Sequence, residues 1–422
     1  MTYSHVLQSA LLFAGTAIGA GMLALPIATG MCGFLPSLFF IGLWFLYSLQ
    51  TMKIILECMG YQKLSPTSGF ISMSTQFSGP IGKILIRTLY TLLLYAVTTA
   101  YIIGGGQIIH NTLTMMGYPI SLYICSIGFA LIFSYITTQS FTIVGYINQW
   151  LMFVLIGSFL LMIFFLGHNL HSETLFLWSN PIALLPSAPI IVLSFSCHSL
   201  LPTIVHNLQG DREATRRAIH LGMLIPLSIY IIWNIIIIGI LPHQGSGSIA
   251  DIARNHAQHG GELAMLAHSL EHMTQSSGLI QQLFIAFSLS AIITSYMGVM
   301  LSLKDFIIQA GELHRYRHHD TLAILCIFIP TLLSALCFPH GFSMVLNAAG
   351  LIIAYIFGLA PVLWTYRARY HLHLSSRYPS GLSKIALISI GVLSSSLICA
   401  QVSHTLYSAP HEPSTFSDTH GQ

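Results

Sequence analysis

Two stretches of this sequence could present bare backbone groups to a ligand, and a third carries a run of hydroxyls. The first is Ala14-Gly15-Thr16-Ala17-Ile18-Gly19-Ala20-Gly21-Met22, which holds three glycines and is followed by Pro26. The second is Ser194-Phe195-Ser196-Cys197-His198-Ser199, with Pro186 and Pro189 before it and Pro202 after it. The third is Ser288, Ser290, Thr294 and Ser295. All lie in long apolar runs. Glycine and proline weaken a helix, and small polar residues can satisfy the backbone groups so released. An unwound segment leaves N–H groups at the start of one half-helix and C=O groups at the end of the other. Those ends suit an amino acid zwitterion. Amides near Gly19, Ala20 and Gly21 would meet its carboxylate. Carbonyls near Ala14, Gly15 and Thr16, and from Ser194 and Phe195, would meet its ammonium. Taken alone, the Gly15/Gly19 pair equally fits close helix packing.

Titratable residues inside apolar runs are the next candidates. His198 sits in the second, proline-flanked stretch, and its charge changes near physiological pH. It could bond the substrate, relay a proton, or serve as neutral structural glue. Glu57 falls one helical turn after Lys53, which makes it either half of an i,i+4 ion pair or a gating or coupling carboxylate. Tyr101, close to Thr98 and Thr99, could face the first stretch and stack on an aromatic ligand. The seven cysteines, Cys32, Cys58, Cys125, Cys197, Cys326, Cys337 and Cys399, lack metal-type spacing and read as small apolar side chains. His318-His319 and His371-x-His373 have no cysteine or carboxylate set beside them, so no metal site is expected.

The elements that must hold these residues are membrane helices. Charged residues make up 6% of the 422 and hydrophobic residues 54%, whereas a soluble domain keeps roughly a quarter of its residues charged. A net charge of +3 does not suggest nucleic acid. Eleven stretches approach the ~20 apolar residues that cross the hydrocarbon: 6–30, 34–57, 84–110, 119–139, 141–167, 182–208, 218–241, 278–304, 320–338, 342–366 and 384–407. The first is too long for a signal-peptide core and reads as a retained span. Of the 15 Lys and Arg residues, only Arg254 falls outside the four loops that an eleven-span count puts on one face. The positive-inside rule makes that face cytoplasmic, with the N-terminus inside and the C-terminal tail outside. Ser65–Gly82 is expected to carry a short surface helix, and the external loop 242–277 short amphipathic segments.

The two glycine- and proline-marked spans are the first and the sixth, each opening a five-span unit. An odd number of spans per unit inverts the second unit relative to the first, and matching interruptions in inverted halves mark a transporter's substrate site. The predicted organisation is therefore a first repeat over 1–167, a second over 168–366 including the external loop, and a final region over 367–422. The fold class is all-α integral membrane, with a five-plus-five inverted repeat and helices one and six broken.

The motifs resemble those of a known family. AGTAIGAGMLALP in the first span is similar to the AGT-x-IGAGM-x-LP signature of bacterial aromatic amino acid permeases. These are the tyrosine- and tryptophan-specific proton symporters, within the amino acid-polyamine-organocation superfamily. The sixth span matches their pattern at Ser194, Phe195, His198 and Pro202, and departs from it at Ser196-Cys197 and Ser199-Leu200. Leu56-Glu57, Ala100-Tyr101-Ile102, His110 and Phe338-Pro339-x-Gly341-Phe342 extend the likeness in order. The resemblance implies import of tyrosine or tryptophan with a proton, by alternating access, in a bacterial inner membrane. Some relatives carry a lysine in span five, where this chain has Tyr146-Ile147-Asn148-Gln149-Trp150. In sodium-coupled relatives of this architecture a hydroxyl pair on span eight helps bind the ion, so Thr294 and Ser295 keep sodium open as the coupling ion. Other readings are a serine, threonine or small amino acid permease, and a sensor or channel of the same fold. No constellation typical of a membrane enzyme is present, and neither a cofactor nor an obligate protein partner is implied.

Overall fold

The computed structural model describes residues 3–61, 69–170, 172–175, 184–185, 187–242, 245, 247–255, 265–266, 269–270, 278–311, 313–315, 318–339 and 342–407. Among these the secondary structure is helical throughout, with no strand. Eight helices are long and apolar enough to cross a membrane, or nine when the bent pair in the first stretch is taken as one span. Two shorter apolar helices, Leu122–Thr137 and Lys384–Ala400, fill the stretches read as spans four and eleven. Below, helices keep the numbers of the stretches that predict them.

Both predicted interruptions are present. Span one is a helix over Tyr3–Ala17 and another over Ala20–Gly30, bent by 50° at the break. Span six is Ala188–Ser194, a 3-10 turn at His198–Leu200, and Leu201–Asn207. Its prolines work as helix starters. Pro189 and Pro202 each stand in the first turn of a half-helix, where the missing N–H has no partner to lose. Pro186 lies outside the described residues.

Other boundaries shift for local reasons. Span three runs from Gly79 to Met115, longer at both ends than the apolar run 84–110. Pro80 in its first turn starts it early. The surface helix expected before it is Phe70–Phe77. Span ten, expected as one regular helix, contains a π-helical segment at Ala354–Leu359 between Phe342–Ile353 and Ala360–Tyr370. There the backbone of Gly358 is approached so closely by Tyr47 Oη and Ser394 Oγ that a Cβ would meet them at 2.1 and 2.6 Å. Of the external loop, the helix Ile249–Asn255 is among the described residues, and most of the rest lies outside them.

Burial sorts the spans. Over its most apolar window span eight is 78% buried, against 33% for span five and 28% for span nine. Span eight is thus central, packed on spans one, three and five, while five and nine turn Phe153, Phe164, Ile329 and Leu333 outward as lipid-facing surface.

The basic residues gather at one end, as the span count requires. Arg369 donates to both carboxylate oxygens of Glu57, Arg367 Nη1 donates to the Phe77 carbonyl at 2.7 Å, and Lys304 Nζ lies 3.3 Å from Asp320 Oδ1. Arg87 closes the same end by bonding the Ala310 carbonyl. Glu57 is 1% exposed, and it also accepts from Tyr61 and from the Ser380 N–H at 2.9 Å. Of the two readings of Glu57, the ion pair with Lys53 gives way to this one with Arg369, because the chain after span ten folds back beneath span two. Arg377 N donates to Gly60 O at 3.0 Å, and Tyr378 Oη donates to Gly210 O at 2.7 Å. Removing one partner of a buried pair strands the other charge. Arg369→Ala should therefore lower stability by about 3–5 kcal/mol, read as a lower melting temperature in detergent. The double variant Glu57→Gln/Arg369→Gln should melt nearer the parent. A parent-like melting curve for Arg369→Ala would show that the pair contributes no stability.

Candidate functional site

The break in span one releases carbonyls that span eight then covers. Ala14 O is still held in the helix, accepting Ile18 N at 2.8 Å, so the freed groups begin one residue later than the sequence suggests. Gly15 O accepts from Thr294 Oγ1 at 3.0 Å and from Ser295 Oγ at 2.9 Å. Ser295 Oγ also lies 3.2 Å from Thr16 O and 3.3 Å from Ile18 O. The hydroxyl pair picked out in the sequence thus sits on the carbonyl end of the first half-helix, with Thr294 also bonding back to Ser290 O. On the other side of the break Gly19 is extended, and the amides of Ala20 and Gly21 fall in the first turn of the second half-helix, where no helical acceptor exists.

Closeness explains the glycines. A Cβ at Gly19 would stand 2.5 Å from Ser295 Oγ and 2.9 Å from Tyr101 Oη, and one at Gly21 would stand 2.6 Å from Ser194 Oγ. Tyr101, which shares a hydrogen bond with Ser295, therefore faces the first break, and Ser194 meets it from span six. A Cβ at Gly15 would lie 2.9 Å from Asn148 Oδ1, on the segment of span five noted for lacking a titrating group. Asn148 Nδ2 donates to Leu11 O at 3.1 Å. Gly298 on span eight admits Thr16, whose Oγ1 would be 1.8 Å from a Cβ there.

The two breaks are joined by a residue that composition and motif reading did not single out. Tyr230, on span seven and fully buried, places its Oη 2.7 Å from Ala17 O and 2.6 Å from Ser194 O. One hydroxyl therefore serves the carbonyl ends of both first half-helices. Its ring packs on Phe195 at 4.9 Å between centroids, and Phe195 packs edge-on to Phe45 at 5.7 Å. A tyrosine at mid-span was the only available signal, since a buried phenol needs a partner for its O–H.

His198 points elsewhere. Its Nε2 lies 2.9 Å from Thr51 Oγ1 and 3.1 Å from Ser48 O, both on span two. Its ring stacks on Phe357 of the π-helical segment at 5.1 Å and 13°. With Nε2–H donated to span two, Nδ1 carries a buried lone pair that no donor among the described residues meets. The structure thus gathers Gly15, Thr16, Gly19, Ala20, Gly21, Ser194, Phe195, Tyr101, Thr294 and Ser295 around the breaks. His198 turns its ring from span six toward spans two and ten, and Glu57 stands at the basic end. His110 has Nδ1 2.6 Å from Ile120 O at the opposite end of span three.

Comparison with known proteins follows the same lines. A model of the tryptophan/tyrosine permease family matches residues 2–399. The "Tyrosine-specific transport system 1" of Haemophilus influenzae is 30% identical over 403 residues, covering 92% of this chain and 95% of the relative. A "Tryptophan-specific transport protein" of Pseudomonas aeruginosa is 29% identical, with 86% of each chain covered. "Glutamine transporter 2" of Aliivibrio fischeri is 26% identical, covering 82% of this chain and 85% of that protein. A crystal structure of the Eremococcus coleocola manganese transporter, in complex with an aromatic bis-isothiourea substituted compound, superposes with a TM-score of 0.60. That alignment spans 96% of this chain and 88% of that one at 13% identity, a likeness of fold alone.

Tyr230→Phe tests the bridge between the breaks. It keeps the ring against Phe195 and leaves Ser194 O without its donor, while Ala17 O still accepts from Gly19 N at 2.8 Å. The expected loss is about 1–3 kcal/mol of stability, measured by thermal melting in detergent. Melting equal to the parent would show that the hydroxyl does not hold the two breaks together.

Proposed function

The chain belongs to the tryptophan/tyrosine permease family, and on that premise we propose that it imports tyrosine or tryptophan by proton symport with alternating access. It is a multi-pass membrane transporter. The observation that carries the reading is the pair of broken helices with their carbonyl ends brought to one point. Gly15, Thr16, Ala17 and Ser194 offer oxygens there, and the Ala20 and Gly21 amides open the next half-helix. In this reading the substrate's ammonium takes the carbonyls that the Tyr230 and Ser295 hydroxyls approach. The carboxylate takes the Gly19–Gly21 amides, and Phe195, Phe45 and Tyr101 supply apolar and hydroxyl surface for the ring. Such an arrangement stabilises both charges with fixed dipoles at a depth where water cannot.

The names of the relatives support the substrate class, two of those above being tyrosine- and tryptophan-specific. Placing the basic end in the cytoplasm puts the N-terminus inside and the membrane as the bacterial inner membrane. The halves 1–167 and 168–366 are read as inverted repeats. They would rock spans one, two, six and seven against three, four, eight and nine.

Sodium as the coupling ion is the second reading, and one cluster favours it. Thr294 and Ser295 hydroxyls with the Gly15, Thr16 and Ile18 carbonyls form an all-oxygen set, the ligand type sodium takes.

Proteoliposomes containing the chain should accumulate labelled tyrosine or tryptophan when the lumen is alkaline, with no sodium present. Uptake that follows a sodium gradient and ignores pH would overturn the proton assignment. Serine or glutamine uptake, with neither aromatic amino acid taken up, would overturn the substrate class.

A further inference from the structure

The bond between Glu57 and Arg369 leaves Lys53 without the acid one turn along its own helix. Lys53 is the one residue from Thr51 to Met59 that is not buried. It ends a line of surface residues on span two, Phe39, Leu43, Leu46 and Gln50, spaced three or four apart and therefore on one side of the helix. Span seven packs against span two and carries a matching line. There Arg216, His220, Leu224, Leu227 and Ile231 reach the surface at the same spacing. Two largely apolar lines thus run toward the membrane interior from a pair of cations at the basic end.

The two cations act on each other. Arg216 is the charged group near enough to Lys53 to be felt there, and it repels it. Among the described residues no carboxylate lies within ion-pairing distance of either. Glu213, one turn before Arg216, is bonded to Arg217 instead. Other cations at this end are engaged: Lys304 with Asp320, Arg367 and Arg87 on carbonyls, and Lys384 over the Tyr366 and Tyr370 rings. Like charges held together at the edge of the hydrocarbon repel more strongly than in bulk water. One anion between them reverses the sign of the interaction and gains charge-assisted hydrogen bonds from both. Arginine offers a phosphate its planar fork, and lysine a compact point charge. The apolar lines beside the cations call for a phosphate that carries hydrocarbon chains. A zwitterionic headgroup would bring its own ammonium against the second cation, so the pair favours a headgroup of net negative charge.

We propose that Lys53 and Arg216 clamp the phosphate of an anionic phospholipid in the leaflet at the basic end, with its chains along the surface lines of spans two and seven. The lipid then bridges two helices whose inner ends carry like charge. The site stands apart from the broken helices, and its existence does not depend on which substrate or coupling ion the chain carries.

The test melts the full chain in a neutral detergent with added phosphatidylglycerol, phosphatidylcholine or glycerol 3-phosphate. Phosphatidylglycerol should raise the parent's melting temperature by about 3 °C more than phosphatidylcholine does. In Lys53→Gln/Arg216→Gln the two lipids should act within about 1 °C of each other. Lys83→Gln, which removes a cation at the start of span three, should keep the parent's difference. A parent that melts alike in both lipids overturns the assignment, and so does a double variant that keeps the full gain from phosphatidylglycerol. Loss of the gain in Lys83→Gln also overturns it, because the effect would then follow total charge rather than this pair. A gain from glycerol 3-phosphate equal to that from phosphatidylglycerol would show a site for free phosphate and overturn the lipid assignment. If the double variant does not fold, Arg216→Gln decides, since it alters one exposed side chain. A gain cut to half or less supports the clamp, and a larger remaining gain overturns it.

Discussion

Backbone polarity inside a membrane has to be satisfied by the protein itself, and that requirement organises this molecule. Two helices give up their internal hydrogen bonds halfway along. The carbonyls of Gly15, Thr16, Ala17, Ile18 and Ser194 then share the hydrogens of the Ser295, Thr294 and Tyr230 hydroxyls, and Ala17 O also accepts from Gly19 N. Water is absent at that depth, so each unmet group would cost several kcal/mol. The hydroxyls on spans seven and eight are thus as necessary as the glycines that permit the break. They also make the site ready, since a ligand that brings its own N–H groups can take the same carbonyls without further cost to the helices.

The same economy of space explains why span eight is central. Gly298 lets Thr16 approach, and Gly19 lets Ser295 and Tyr101 approach. Small residues on both sides bring span eight close enough for its hydroxyls to reach backbone rather than side chains. At the basic end the logic is ionic instead. Glu57 collects Arg369, Tyr61 and Ser380, and the return of the chain beneath span two brings Tyr378 to the loop before span seven.

Much of this was legible in the sequence. Gly15, Gly19, Gly21, Pro189 and Pro202 marked both breaks, because those residue types act on the backbone locally. The distribution of Lys and Arg located one end of the helices that flank the four basic loops. What could not be read were pairings set by tertiary approach. Tyr230 is one tyrosine among 18, and only its position relative to two distant carbonyls makes it a bridge. Arg369 looked like one basic residue in a loop until the chain after span ten turned back to Glu57. The regular helix expected at span ten hid the π-helical segment, since nothing in Ala354-Tyr355-Ile356-Phe357-Gly358-Leu359 demands an altered pitch by itself.

That segment ties distant parts of the molecule to a whole number of residues. A π turn holds one residue more than the α-helix around it, and each residue of slip turns everything beyond it by about 100°. Upstream of Gly358, the Phe357 ring lies on His198; downstream, Arg369 grips Glu57. The π-helical segment, which itself contains Phe357, sets the register between the two attachments. Were the segment to relax to ordinary pitch, one attachment could keep its place while the other swung to a different face of the helix. Span ten therefore resembles a screw with a set thread, able to hold the imidazole at one end and the guanidinium at the other in a single register.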